Sequence, residues 1–423
     1  MTAAAIVDAA RATTGRLSFG ALACAQFLGI FNDNLFKMVV SLLAIDTGII
    51  VGGGSAYLSL TGVLFVLPYL LFSGYAGCLA DRFDKRRVLI VTKALEIVLM
   101  GAATVALVGG SMTFLLVMLF LIATQATFFS PAKYAILPEI VARNDLARAN
   151  GWLESSRYFA IILGTVAGGI LLTVFQDRPT PIGIALLVAA VVGWSSSLLI
   201  GRPLPNARRE VMPLTPWHGL WKGFGQISRC PVLFVAVGGL LVFDFLSTLV
   251  VLDIMLLGKT VMAASDLQIG QLGAGMAVGA GVGCIAAGRL AGSRSPLGTA
   301  LVGFVGVGLV LVLYSAAASS IGGAMLFAVP LGFFGGFVIV PLNATIQRRA
   351  VAMERGRIIA SANFLSMLGC LMASGSLWVL HDLLGVSTQG VLVIGGIAAI
   401  SVALAGYRRA VAVQFGLSVG DGV

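Results

Sequence analysis

Twelve apolar runs succeed one another along the chain, at about 17–45, 56–79, 88–109, 112–136, 148–174, 182–200, 231–257, 268–290, 296–317, 321–347, 357–380 and 387–407. A helix needs roughly 20 apolar residues to cross the hydrocarbon core of a bilayer. Inside lipid, each segment must also satisfy its own backbone hydrogen bonds. Runs of this length joined by short loops therefore predict an all-α membrane protein with twelve transmembrane helices. Charged residues make up only 10% of the chain, far below the roughly 25% of a soluble domain. The 54 glycines suit helices that approach one another through small residues. Met1 to Arg16 is mildly polar, and the apolar run after it is too long for a signal-peptide core, so it reads as an uncleaved first span.

The cationic residues give the expected orientation. With the N-terminus on the cytoplasmic side, twenty-two of the 27 Lys and Arg residues fall on that side, Lys93 among them. Only Arg178 and Lys259 fall outside, and Lys37, Lys133 and Arg157 lie within spans. The positive-inside rule then places both termini in the cytoplasm. It also accounts for the net charge of +10 without nucleic acid as a partner. The five cysteines lie in or beside spans without paired spacing, which predicts free thiols and neither disulfide nor metal. His218 and His381 lack metal-like neighbours. Gly258-Lys-Thr260 ends like a phosphate loop, but Asp253 stands where the upstream glycine is required. The glycine run from Gly273 to Gly283 lacks nucleotide-loop spacing. No enzyme, cofactor or metal centre is expected.

The longest inner loop, 201–230, separates an N-terminal six-helix bundle (1–200) from a C-terminal one (231–423). It opens Pro-rich. Then Trp217, Leu220, Trp221, Phe224 and Ile227 recur at helical spacing, as in an amphipathic helix on the inner membrane surface. Its role is either that of a plain structural linker or a regulatory, lipid-sensing one. The halves repeat with a period of about 211 residues. Asp33 matches Asp244, Gly77-Cys-Leu-Ala-Asp81 matches Gly288-Arg-Leu-Ala-Gly292, and Pro131-Ala-Lys133 matches Pro341-Leu-Asn343. Asn150 and Asn363 correspond if the second loop is slightly longer. Two parallel six-helix repeats are the architecture of major-facilitator transporters, with the solute site near the midplane.

Charges inside spans carry the candidate chemistry, because an acid at the centre of a membrane helix costs about 2.5–3.5 kcal/mol on insertion scales. The first span holds Asn32, Asp33, Asn34 and Lys37, with Gln26 and Gly29 on the face of Asp33. Asp33 and Lys37 are four apart and share that face. Either they neutralise each other and lock helix packing, or the face lines a solute path. Lys133 stands in the inner half of span 4. Asn150, Glu154 and Arg157 share a face of span 5. That face is either a structural pair, Glu154 with Arg157 or with Lys133, or a cationic patch for an anionic headgroup that Glu154 compensates when empty.

Gly77-Cys-Leu-Ala-Asp81-Arg82-Phe-Asp84-Lys85-Arg86-Arg87 resembles the signature loop between spans 2 and 3 of the major facilitator superfamily, with Asp84 where the family has glycine. Gly77, Asp81, Arg82, Arg86 and Arg87 form the expected gating motif. Asp81, at a helix end, can pair with basic residues and with a neighbouring helix N-terminus. The second copy lacks the acid, at Gly292, so its latch should be weaker.

Phe31-Asn-Asp-Asn-Leu-Phe-Lys37, Ser130-Pro-Ala-Lys-Tyr-Ala-Ile-Leu-Pro-Glu139, Ala149-Asn-Gly-Trp-Leu-Glu-Ser155 and the stretch from Phe333 to Ala344 resemble the bacterial lysophospholipid transporters. They look still more like the transporter half of fusions with an acyltransferase, as does Glu354-Arg-Gly-Arg-Ile-Ile-Ala-Ser-Ala-Asn363. The resemblance implies a major facilitator fold of two pseudo-symmetric six-helix bundles in the bacterial inner membrane. It also implies flippase-like movement of lysophospholipids for reacylation. It places the family's span-1 acid on Asp33, its span-4 lysine on Lys133 and its span-10 asparagine on Asn343. Transporter-only members usually carry glycine where this chain has Asn32. The fusion members join the transporter to an acyltransferase, and the resemblance makes a cytoplasmic acyltransferase an expected partner.

With the residues read alongside, the expected substrate contacts are Asp33, Asn34, Lys37, Lys133, Glu154, Arg157, Asp244, Asn343 and Asn363. Lys133 or Arg157 suits a phosphate, Asp33 suits an amine, and a lateral gap between spans suits the acyl chain. The substrate is a lysophospholipid or another amphiphilic small molecule, and the protein, among membrane lipids, is expected to be a monomer. Two alternatives stand beside this reading. One is a proton-coupled major-facilitator transporter of a small solute or drug, with Asp33 or Asp244 as the proton carrier. The other is a non-transporting scaffold that recruits an acyltransferase through the 201–230 loop.

Overall fold

The computed structural model describes residues 3–51, 54–175, 178–201, 216–293 and 296–414. Most of the expected linker, 202–215, lies outside the described residues. Thirteen α-helices run in order among the described residues: α1 (Ala3–Val51), α2 (Gly54–Arg82), α3 (Lys85–Gly109), α4 (Met112–Ile140), α5 (Leu146–Val174), α6 (Thr180–Leu198), α7 (Pro216–Arg229), α8 (Pro231–Thr260), α9 (Asp266–Ser293), α10 (Pro296–Ala317), α11 (Ile321–Arg349), α12 (Arg355–Trp378) and α13 (Thr388–Gln414). All but α7 contain a stretch long and apolar enough to cross a membrane, twelve in number. This is a multi-pass, all-α membrane protein. The first helix starts at Ala3, well before its apolar run, because the Ala-rich leader itself favours helix.

Local chemistry sets the breaks. Gly110 closes α3 in the left-handed region, at φ 63°, and its N–H reaches Leu107 O. Ser111 then caps α4 by accepting from Phe114 N. Asp84 caps α3 by accepting from Arg86 N at 3.1 Å, so the residue that departs from the superfamily signature has a capping role here.

Contacts divide the chain into two compact units. The first comprises Met1–Arg143, Phe159–Gln226 and Ala350–Phe364. Its core is built from Leu35 and Phe36 of α1, Met100 of α3, Leu119 and Ile122 of α4 and Leu186 of α6. The second comprises Asn144–Tyr158, Ile227–Arg349 and Leu365–Val423. There α9 and α11 touch backbone to backbone. A methyl group added at Gly332 would stand 1.8 Å from Met276 O, and one at Gly283 2.0 Å from Phe333 O, so only glycine permits the approach. Large aliphatics such as Val98, Val105, Val188 and Leu309 are more than half exposed, which suits a surface facing hydrocarbon.

The amphipathic helix expected in the loop is present as α7, but its small-residue face is docked on protein. Cβ atoms at Gly219 and Gly223 would collide with Cys78 of α2 and Ser361 of α12. The Trp217 ring meets Phe364 edge-on at 6.0 Å, and Gln226 bonds Glu354. Trp221 stays 70% exposed.

Candidate functional site

In the first unit, α1 carries Asn32 and Asp33 inward. Among the described residues no ion pair joins Asp33 to Lys37. The Lys37 ammonium lies over the Phe65 ring of α2, 4.4 Å from its centroid, where a desolvated cation–π contact is available. Asn34 folds back on its own helix, donating to Ile30 O at 2.8 Å. Asp33 is buried, and its Oδ1 has no hydrogen-bond partner among the described residues. The charges acting on it are Glu96 and Lys93 of α3.

Those two residues form a pair that the charge count misplaced. Lys93 is 1% exposed and lies eight residues inside α3, not in the inner loop. Its Nζ stands 2.6 Å from Glu96 Oε2. Glu96 also accepts from Asn32 Nδ2 at 3.4 Å, and Gln125 Nε2 reaches Thr92 O at 2.9 Å beside it. Gly29 makes room, since a Cβ there would stand 2.4 Å from Lys93 Nζ. The signal was present in the sequence as Lys93-x-x-Glu96, opposite charges three apart in an apolar run.

Lys133 is buried on α4 with its ammonium 4.1 Å from the centre of the Tyr134 ring. One turn earlier on the same face, Ser130 Oγ accepts from Asn363 Nδ2 of α12 at 3.1 Å. Thus two of the expected contacts, Lys133 and Asn363, belong to one neighbourhood.

The second unit holds the other cluster. Arg157 Nε bonds Glu154 Oε2 at 2.7 Å, with Glu154 buried and Arg157 29% exposed. The guanidinium packs on the Tyr158 ring at 4.6 Å. Across from them on α8, Asp244 accepts from Ser366 and feels both charges. The pairing of Glu154 with Arg157 is thus formed within this unit. Asn343 is half-buried on α11. A cavity of about 220 Å³ lies beside Tyr158 and Phe243, lined by aliphatic side chains and glycines of α8, α9, α10 and α11.

Residues of the expected gating motif are tied to other helices. The Asp81 carboxylate accepts from the backbone N–H groups of Gly356 at 2.7 Å and Arg357 at 2.9 Å. These are orphan donors at the positive end of α12. Arg357 Nε adds a longer contact at 3.9 Å. Gly77 permits the approach, because a Cβ there would be 2.6 Å from Ala360 Cβ. Arg86 caps the end of α6 by donating to Leu198 O and Ile200 O. Arg82 packs on Phe83, and Arg87 is exposed. Within the second unit, the repeat-related Gly288 packs on Ala147 and Gly151 of α5. Asn150 of α5 and Gln347 of α11 exchange two amide hydrogen bonds at 2.9 and 2.8 Å.

The profile of the Major Facilitator Superfamily matches residues 22–374. The chain is 32% identical over 381 residues to the lysophospholipid transporter LplT of Pectobacterium carotovorum, covering 88% of each chain. It is 31% identical over 366 residues to LplT of Klebsiella pneumoniae, covering 84% of this chain and 86% of that one. Among solved structures, the human organic anion transporter MFSD10 superposes with TM-score 0.75 at 14% identity, over 93% of this chain and 99% of that one. The transporter FucP in its outward conformation gives 0.74 at 14% identity, over 94% and 99%.

Proposed function

Because this chain belongs to the Major Facilitator Superfamily, in its lysophospholipid-transporter branch, we propose that it moves lysophospholipids across the bacterial inner membrane, flippase-like, for reacylation. It is a transporter and not an enzyme. The observation that carries the substrate reading is the set of ionisable groups held in lipid-embedded helices, foremost Asp33 with an unpartnered buried oxygen. Such groups are costly and mark substrate paths. A lysophospholipid offers a phosphate for Lys133 or Arg157, often an amine for Asp33, and one acyl chain. Asn363 and Asn343 add amide contacts, and Glu154 balances Arg157 when the site is empty. Uptake of labelled lysolipids by spheroplasts, against a panel of drugs and sugars, tests this. Selective uptake of lysolipids is expected; uptake of a sugar or drug alone would remove the reading.

The second reading, a proton-coupled transporter of another small solute, draws on Asp33 lying beside Glu96. There Asp33→Asn would abolish pH-driven uptake while solute exchange survived.

Three further features complete the proposal. The two repeats, 1–200 and 231–423, act as the moving bundles, joined by 201–230, and the protein works as a monomer. A cytoplasmic acyltransferase receives the product. Both termini are cytoplasmic, which cysteine labelling checks in a Cys-free background. Cysteine at Asp177 should react with an impermeant thiol reagent from outside, and cysteine at Arg208 should not; both positions lie outside the described residues. The reverse pattern would invert the topology.

Asp81→Asn should weaken the latch by about 1.5–3 kcal/mol, the scale of a hydrogen bond to a charged group. Flux should fall while the protein stays folded in the membrane. Wild-type flux in that variant would mean that the latch does not control the gate.

A further inference from the structure

The side of α7 turned away from the protein is divided into two edges. Trp217 and Trp221, four residues apart, share one exposed edge, and Trp221 keeps 70% of its surface open. His218 and Lys222, one position on, share the next edge and are also exposed. The helix contains Lys222 and Arg229 and no acidic residue. An aromatic edge beside a cationic one is the pattern of a helix lying in the headgroup layer. Trp favours that depth because its ring is apolar and its N–H seeks a polar partner. The docked face sets the depth independently. Gly219 abuts Gly74 and Cys78 of α2, and Gly223 abuts Arg357 and Ser361 of α12. These positions lie within roughly two turns of the ends of two membrane-spanning helices. At its other end, Cys230 alone separates α7 from the span α8. The helix therefore runs level with the ends of the spans, where headgroups lie.

We propose that the edges formed by Trp217, His218, Trp221 and Lys222 bind anionic phospholipid headgroups of the surrounding bilayer, and that the bound lipid steadies the first turns of α12. A cationic edge without an acid favours a headgroup of net negative charge over a zwitterionic one. The link to α12 is the opposite face of the same helix. There Ser361 Oγ donates to Leu220 O at 3.4 Å, Gln226 bonds Glu354, and the Trp217 ring meets Phe364. The Gly356 and Arg357 N–H groups held by Asp81 belong to that stretch of α12. The proposal does not depend on which solute is carried.

The test uses the purified full chain in phosphatidylcholine liposomes doped with a lipid brominated near the glycerol, either phosphatidylglycerol or phosphatidylcholine. Bromine quenches indole fluorescence on contact, and the quenching that Trp221→Phe removes reports this edge. It should appear at about fivefold lower content of the brominated phosphatidylglycerol, the preference that one basic residue near an anionic surface contributes. In Lys222→Gln, an exposed and conservative change, the preference should fall by about that factor. High salt should erode it in the wild type. The melting temperature should rise with phosphatidylglycerol content in the wild type and respond less in Lys222→Gln. Equal quenching by both lipids in the wild type overturns the headgroup site, and so does an undiminished preference in Lys222→Gln. Trp221 fluorescence that neither lipid quenches also overturns it, and would leave this face in water for a soluble partner protein. A melting temperature indifferent to phosphatidylglycerol overturns the steadying of α12.

Discussion

Replacing Lys93 with alanine should destabilise the first unit by about 3–5 kcal/mol, the cost of leaving one member of a buried ion pair alone. Glu96 is 1% exposed and takes its closest contact from Lys93, at 2.6 Å. Without the lysine it remains a charge in a lipid-embedded bundle, contacted by the amides of Asn32 and Gln125. Glu96→Ala should cost a similar amount. The double variant should cost clearly less than the two together, because neither charge is then left unpaired. Melting temperatures of the detergent-purified single and double variants decide it. Strictly additive losses would show that the two side chains act independently and that the pair does not organise α3 against α1 and α4.

The second large effect concerns transport. Lys133→Ala should reduce flux of every lysophospholipid by about ten- to hundredfold, the equivalent of losing a hydrogen bond of about 1.5–3 kcal/mol to a phosphate. Asp33→Asn should behave differently. It should harm lysophosphatidylethanolamine more than lysophosphatidylglycerol, since only the first carries an amine. Uptake of both lipids, normalised to protein in the membrane, separates the outcomes. An identical response of the two headgroups to Asp33→Asn would withdraw the amine role while leaving the transporter reading intact.

The parts of the fold that depend on long-range periodicity were legible. Twelve apolar runs mark the twelve spans, because the bilayer fixes the length of each segment. The helix α7 was visible in the spacing of Trp217, Leu220, Trp221, Phe224 and Ile227. The choice of α12 as the partner of Asp81 was not visible, although a helix N-terminus was expected there. Sequence states which groups want a partner, and only packing chooses which helix end supplies it. In the charge count Lys93 falls on the cytoplasmic side, with Lys85, Arg86 and Arg87 a few residues before it. Its glutamate three residues on, and the space left by Gly29, outweigh that proximity. The Asp33–Lys37 spacing was correct for a pair on a helix face, yet the Phe65 ring takes the ammonium. The docking of α7 through Gly219 and Gly223 was also hidden, since a hydrophobic pattern looks the same whether it faces lipid or protein. The cavity beside Tyr158 depends on absent atoms at glycines such as Gly273 and Gly335, and no pattern of present side chains announces it.

The most direct measurement is the movement of labelled lysophosphatidylethanolamine into liposomes holding the purified protein, with wild type and Lys133→Ala side by side. Movement should depend on the wild-type protein and fall about tenfold or more in Lys133→Ala. No protein-dependent movement of the lipid, together with sugar or drug uptake driven by a pH gradient, would contradict the lysophospholipid reading.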